Sequence, residues 1–280
     1  MTHLKKARFF LAVMAIILSA PAFSQNALRG TIRNSRNNDP IPYASIGILR
    51  KNAGSVSDSS GNFTLELAGN LDYYDTVIIS SIGYHEKHWL LKDFMVQKIF
   101  LLEPTEAVLK EIKVTPFRHE TTLGSVSQKK NSLSGWSGSG KGGEIGNVFS
   151  IGAQQFKLEK LSFYILTGCD TTWFRVHIRE FSNGKPGTEL LSGNLILQVT
   201  KQEGISEHDL SQFNIIISDH PEIYVSLELI ARSATVARPA LGNNVHITGH
   251  KEGVLYYKWF PQTQWLRNDY SLSLMLKIKY

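Results

Sequence analysis

Apolar and polar residues alternate along most of this chain in short runs, which Gly, Asn, Asp and Ser interrupt. A period of two puts every second side chain on one face of an extended segment, so the pattern predicts antiparallel strands rather than helices. The clearest runs are Tyr43 to Leu49, Asn62 to Leu67, Phe174 to Ile178, Ile223 to Leu229 and Leu272 to Tyr280. Helical spacing is scarce. A helix is conceivable near Ala107 to Glu111, but Lys110 to Thr115 reads better as a strand. The expected class is all-β.

The pattern changes three times along the chain. Residues 1–24 open with Lys5, Lys6 and Arg8, continue through the apolar run Phe9 to Leu18, and end in Ala22-Phe23-Ser24. These are the three parts of a cleaved secretory signal, and the apolar run is shorter than the ~20 residues of a membrane-spanning helix. No Cys stands at the cleavage point to carry a lipid. Residues 25–117 read as a first β domain, with DTVIISSIGY, the most apolar run, as its central strand. Residues 118–143 are rich in Gly, Ser and Lys and read as a flexible linker. Residues 144–280 read as a second domain of short strands.

Within the first domain, DPIPYASIGI, GSVSDSSGNFTLEL and IISSIGY resemble, in that order, the carboxypeptidase regulatory-like domain, a transthyretin-like β-sandwich. Gly61 fits the turn of the family's hairpin, and Gly83-Tyr84 matches its Gly-Tyr after the central strand. The resemblance implies a scaffold or docking module with no catalytic residues of its own. Such modules occur beside zinc carboxypeptidases and in many exported Bacteroidota proteins. In the second domain EIG, FRV, IREF, GKPGTELL, DLSQFNI and YVSLELI, in that order, resemble domains of no assigned activity that follow these modules in exported Bacteroidota proteins, and a jelly-roll-like β-sandwich is expected.

Charge and motif chemistry then remove several functions. Loss of Lys5, Lys6 and Arg8 with the signal lowers the formal net charge from +6 to +3, and no basic block stands out, so nucleic acid is not an expected partner. The single Cys169 forms neither an internal disulfide nor a thiolate zinc cluster. His177-Ile-Arg-Glu180 has the letters of a carboxypeptidase zinc motif, but on a strand the two side chains point to opposite faces. His246 and His250 would need a helix, which the intervening Thr and Gly disfavour, and His85 and His88 read as surface residues. Gly135 to Gly143, GWSGSGKGG, approaches a phosphate-binding loop. Yet Gly142 replaces the Ser/Thr, and neither a buried strand before it nor a helix after it is expected. No Gly-x-Ser-x-Gly elbow occurs, because GWSGS ends in Ser139. The acids Asp170, Glu180, Glu189, Asp209, Asp219 and Glu222 sit in no recognisable catalytic motif.

Two features stay open in the sequence. Trp136 either caps the edge of the second domain or stands exposed as a platform for a sugar ring or a partner's side chain. The last strand aligns Leu272, Leu274, Leu276, Ile278 and Tyr280 on one face, as a sandwich strand or a terminal outer-membrane barrel strand would. The leading expectation is a non-enzymatic, exported envelope protein, periplasmic or outer-membrane associated, that binds or scaffolds a glycan, a peptide or an envelope partner. No cofactor and no metal is expected, and any membrane association would not be through a helical span. The alternatives are a small outer-membrane barrel with a periplasmic accessory domain, and a hydrolase.

Overall fold

The computed structural model describes residues 27–67, 69–106, 116–129, 132–137, 140–233 and 238–280. The signal segment, the helix candidate Ala107 to Glu111 and the whole run Lys110 to Thr115 lie outside these residues. The first domain contains β1 (Ala27–Asn34), β2 (Ser45–Ile48), β3 (Gly54–Val56), β4 (Asn62–Glu66), β5 (Thr76–Ser80), β6 (Lys87–Leu90), α1 (Leu91–Val96) and β7 (Ile99–Leu102). One sheet has the order β4-β1-β7, with β1 and β7 parallel, and the other the order β3-β2-β5-β6. The two sheets enclose Ile32, Ile46, Phe63, Leu65, Val77, Ile79 and Phe100. As expected, the most apolar run supplies β5, a strand flanked on both sides. Gly61 holds φ +76° in the hairpin turn, and a Cβ there would lie 2.6 Å from the Ile32 carbonyl oxygen. Helix α1 is not anticipated by the strand pattern. Its Leu91 and Phe94, three apart, bury one turn into the core, where Phe94 stacks on Phe100 at 4.2 Å.

The second domain contains β8 (Glu120–Gly124), β9 (Leu133–Trp136), β10 (Glu144–Ser150), β11 (Gln155–Thr167), β12 (Thr172–Ser182), β13 (Lys185–Glu189), β14 (Leu195–Val199), β15 (Glu203–Asp209), β16 (Ile216–Ser218), β17 (Glu222–Arg232), β18 (Val245–His250), β19 (Leu255–Lys258), β20 (Leu266–Asn268), β21 (Ser271–Leu272) and β22 (Leu274–Lys279). One sheet runs β13-β12-β17-β10-β19-β20, with β14 also on β12. The other runs β21-β18-β11-β22-β8, with β15 and β16 on β11 and β9 on β18. Core side chains from both sheets meet between them, among them Phe156, Leu161, Phe163, Phe174, Val225, Leu227 and Ile247. Leu274, Leu276 and Ile278 of β22 point into this core. Their apolar row therefore faces protein rather than lipid. Both sheets also end in edge strands, so the domain is an open sandwich and the barrel alternative fails. No helix among the described residues is long and apolar enough to cross a membrane.

The stretch read as a linker is built differently from that expectation. Residues 120–124 pair with β22, and residues 133–136 pair with β18, so both extend the second sandwich. Gly135 is required by close approach: a Cβ there would lie 1.9 Å from the Val245 carbonyl oxygen. Trp136 is 3 % exposed; it packs on Phe174 and donates from Nε1 to the Gly143 carbonyl at 2.7 Å. It closes the edge of the core and is not an exposed platform. Gly124, Gly135, Gly142 and Gly143 serve tight packing, which composition alone does not distinguish from flexibility.

The β3-β2-β5 face of the first sandwich lies against the second. At this seam Gly47, Gly54 and Gly142 all abut Pro261, and a Cβ on Gly47 would stand 2.4 Å from the Pro261 carbonyl oxygen. That atom belongs to backbone and cannot swing aside. Gly47→Ala is expected to cost about 1–3 kcal/mol by overpacking the seam. Gly152→Ala, which meets nothing within 4 Å, should stay within about 0.5 kcal/mol of the parent. Urea unfolding of the two variants side by side checks this.

Candidate functional site

Strand β12 carries the run WFRVHIREF. Phe174, Val176 and Ile178 face the core, so Arg175, His177 and Arg179 emerge on the opposite face of the sheet. Strand β17 alternates in the same way, with Tyr224, Ser226 and Glu228 outward. Register aligns Arg175 with Glu228, Glu228 with Glu144, and Glu144 with Lys258 across β12, β17, β10 and β19. The row thus reads cation, carboxylate, carboxylate, cation. Two carboxylates directly opposite each other repel, and only the flanking cations make the arrangement tenable.

The contacts are short. Arg175 binds Glu228 Oε2 from Nε at 2.7 Å and from Nη2 at 2.6 Å. Arg179 reaches Glu144 from Nε at 3.1 Å and Nη2 at 3.3 Å, and Lys258 Nζ lies 3.1 Å from the same carboxylate. His177 spans two acids, with Nδ1 2.5 Å from Glu189 Oε2 and Nε2 2.7 Å from Glu228 Oε2. The first sandwich completes the cluster. Ser45 Oγ accepts from Arg175 Nη2 at 2.6 Å and donates to Glu228 Oε1 at 3.1 Å. The Tyr43 carbonyl accepts from Arg175 Nη1 at 2.7 Å. Tyr43 holds φ +57°, a left-handed conformation that costs an L-residue about 1–2 kcal/mol and here sits beside the seam.

Burial and charge oppose each other at every group. Burial raises the carboxyl of Glu228, but Arg175 and His177 outweigh it and hold the group down at about 2. Burial likewise opposes ionisation of Glu144 and Glu189, and Arg179, His177 and, at Glu144, Lys258 bring both below the usual carboxylate range. Burial pushes the His177 imidazolium down, yet Glu144 and Glu189 leave it raised despite repulsion from Arg179. Each carboxylate is therefore kept ionised, and both nitrogens of the imidazole face an acid. This suits a geometric lock rather than a general acid or a free base.

Two depressions open along the seam. The cluster itself lines a cleft of about 280 Å³, together with Ser45, Ser80, Ser81, Glu86 and Gln262. A larger groove of about 900 Å³ runs where β3 and β4 meet Ser137, Gly140, Lys141 and Phe260. Its walls offer Thr31, Asn52, Asp58, Asn62 and Thr64, with Arg29, Lys98 and Lys141 among the charges.

Of the residues singled out in the sequence, few converge. Trp136 is in the core and lines neither depression. Glu180 does not join His177; it accepts from Thr188 Oγ1 at 2.8 Å. Of the six acids without a motif, Glu189 alone lies in the cluster, while Asp209 caps Ser211 N at 2.9 Å. His246 and His250 lie on strand β18. Among the described residues no group of three or more His, Cys, Asp or Glu is arranged to hold a metal ion. The β12 run, whose letters suggest a zinc motif, carries instead the outward row Arg175, His177 and Arg179, which sequence alone does not single out. The signal present is periodicity: Arg175, His177 and Arg179 recur at every second position, alternating with the apolar Phe174, Val176 and Ile178.

Two predictions follow from this pairing. Arg175→Met leaves Glu228 buried without its main partner and should cost about 3–5 kcal/mol, whereas adding Glu228→Leu should recover a large part of that loss. Urea melts of the single and double variants test the difference. The second concerns pH. The carboxylate contributions are present above their ordinary range near 4.5 and are lost as pH falls toward the depressed values, about 2 for Glu228. The His177 contribution is complete below its ordinary 6.5 and is lost as pH rises through its raised value. Thermal stability should therefore peak between about pH 4.5 and 6.5. His177→Gln should flatten the alkaline limb and also shrink the acid limb, because His177 helps to hold all three carboxyls down, as calorimetry from acid to alkaline pH would reveal.

Comparison with known proteins bears mainly on the first sandwich. Residues 28–114 match the model of the CarboxypepD_reg-like domain family. A search of curated proteins finds no match. Among solved structures, a clostridial cysteine protease after propeptide cleavage aligns over 90% of this chain and 70% of its own, at 11% identity and a TM-score of 0.38. The cysteine protease and lectin-like domains of a surface-layer-associated protein of Clostridium difficile align over 85% and 58%, at 12% identity and a TM-score of 0.38. A protein of Bacteroides uniformis described as a candidate carbohydrate-binding protein aligns over 89% and 98%, at 10% identity and a TM-score of 0.18. At such scores these three likenesses carry no argument about this chain. The family match, the three motifs in order and the two-sheet core agree: the first sandwich is a CarboxypepD_reg-like domain.

Proposed function

We propose that this chain is a non-catalytic recognition module of the cell envelope, exported by its first 24 residues, which binds a glycan in the groove at the seam. The observation that carries the reading is the groove of about 900 Å³, lined by side-chain hydroxyls, amides and carboxylates. Thr31, Asn52, Asp58, Asn62 and Thr64 offer both donors and acceptors, which is what sugar hydroxyls need. Half-buried Phe260 supplies a face against which a sugar ring can lie. The ion cluster supports the same reading, because it fixes the two walls of the groove relative to each other before any ligand arrives.

The non-catalytic part of the proposal rests on the cluster's electrostatics. Its three carboxyls are all held ionised, so none is available at neutral pH to protonate a leaving group in the cleft they line. The test is a glycan array probed with the full chain, followed by calorimetric titration of the best ligand. Asn62→Ala and Phe260→Ala should each weaken binding about tenfold, a loss of ~1.4 kcal/mol, with little change in thermal stability. Binding that survives both substitutions would remove the groove from the reading. Cleavage of the bound glycan would replace a recognition module with a hydrolase.

A further inference from the structure

The seam cluster does not balance its own charge. Glu144, Glu189 and Glu228 face Arg175, Arg179 and Lys258, three against three, before His177 is considered. His177 Nδ1 and Glu189 Oε2 are 2.5 Å apart. Two lone pairs would repel at that distance, so a proton lies between them. The other ring nitrogen is 2.7 Å from Glu228 Oε2 and donates to it. Glu189 is held ionised and His177 raised, so that proton rests on the ring and the cluster carries one positive charge in excess. A buried unpaired charge is costly, and a counter-charge is the ordinary remedy.

The cleft beside the cluster has groups suited to receive one. Ser81 lines it at 8 % exposure, and its buried hydroxyl has no hydrogen-bond partner among the described residues. Arg179 directs Nε and Nη2 at Glu144, with Nη2 also 3.1 Å from His177 Nδ1 and 3.6 Å from Glu189 Oε2, and its Nη1 makes no hydrogen bond among the described residues. Lys258 also lines the cleft, with its Nζ over the Trp265 ring at 4.8 Å. Glu86, at the first sandwich's side of the cleft, is more than half exposed and bound to His88 at 3.0 Å, so solvent screens it. We propose that this cleft of about 280 Å³ is a binding site for one small monovalent anion, a halide or the carboxylate of a small ligand, held by Arg179, Lys258 and the Ser81 hydroxyl. The site is separate from the groove and does not depend on the glycan reading.

Protonation and anion binding are then linked. The groups facing His177 are Glu144 on β10, Arg175 and Arg179 on its own strand, Glu189 on β13, Tyr224 and Glu228 on β17, Lys258 on β19, and Ser45 from the first sandwich. Of these only the Glu189–His177 pair shares its proton. Loss of that proton removes the excess charge, so the anion should bind below neutral pH and leave as pH rises.

The experiment is chloride-35 NMR line broadening on the full chain at constant ionic strength, from pH 5.5 to 9, with formate as competitor. The parent should broaden the chloride line at pH 6 and lose most of that excess by pH 9. Formate that narrows the line assigns the site to carboxylates as well as halides, and formate that does not assigns it to halide alone. Ser81→Ala removes only an unpartnered hydroxyl, so it should fold as the parent does and weaken chloride at least threefold. Lys258→Met cancels the excess charge and should abolish specific broadening. Absence of broadening in the parent, or equal broadening in the parent and Ser81→Ala, would overturn the proposal, the latter as an adventitious ion only.

Discussion

Charged side chains between two protein surfaces must find partners there or remain in water, and here both surfaces are shaped around that requirement. The Arg175–Glu228 pair is 2 % and 4 % exposed at its side chains, far from the screening that makes most surface ion pairs nearly worthless. Such a pair adds little net stability over a well-packed apolar substitute, because desolvation consumes most of the attraction. What it enforces is geometry. Arg175 points four of its hydrogen bonds at fixed positions: Glu228, Ser45, Tyr43 and Asn194. Two of those residues belong to the first sandwich, so only one placement of that domain satisfies the guanidinium.

The seam's packing follows from the same constraint. For Ser45 to reach the guanidinium, β2 must lie almost on the loop around Pro261, and Gly47 makes that approach sterically feasible. Gly142 at φ +80° brings residues 140–143 under the same proline, and its N–H binds the Leu229 carbonyl at 2.9 Å. The chain between the sandwiches is consequently tied to the second one at several points. The groove beyond Phe260 inherits its shape from these contacts.

Much of the fold was legible in the sequence, for a physical reason. Strands half-facing a core alternate, and alternation survives in the letters of β4, β12, β17 and β22. It failed where the local signal was weak. Strands β8 and β9 are short and rich in Ser, Thr and Gly, and they exist because β22 and β18 present unpaired edges to them. Helix α1 rests on two buried side chains and an aromatic stack, too little to show as a period. The site was harder still. Each row of the ion cluster sits on one strand and reads as ordinary outward polarity. Only register across β12, β17, β10 and β19, together with the covering domain, turns four rows into one network. Register is a property of pairs of strands, and one strand's letters do not contain it.

The character of the covered face has a consequence for how the protein comes apart. A seam sealed by leucine and phenylalanine would, once opened, present a sticky surface that collapses on other molecules. This one would present guanidinium, ammonium, imidazole and carboxylate groups, which water solvates readily. A pull along the chain, or a nascent chain with only one domain folded, would thus expose a hydrophilic wall, and the two halves could rejoin without first escaping an aggregate.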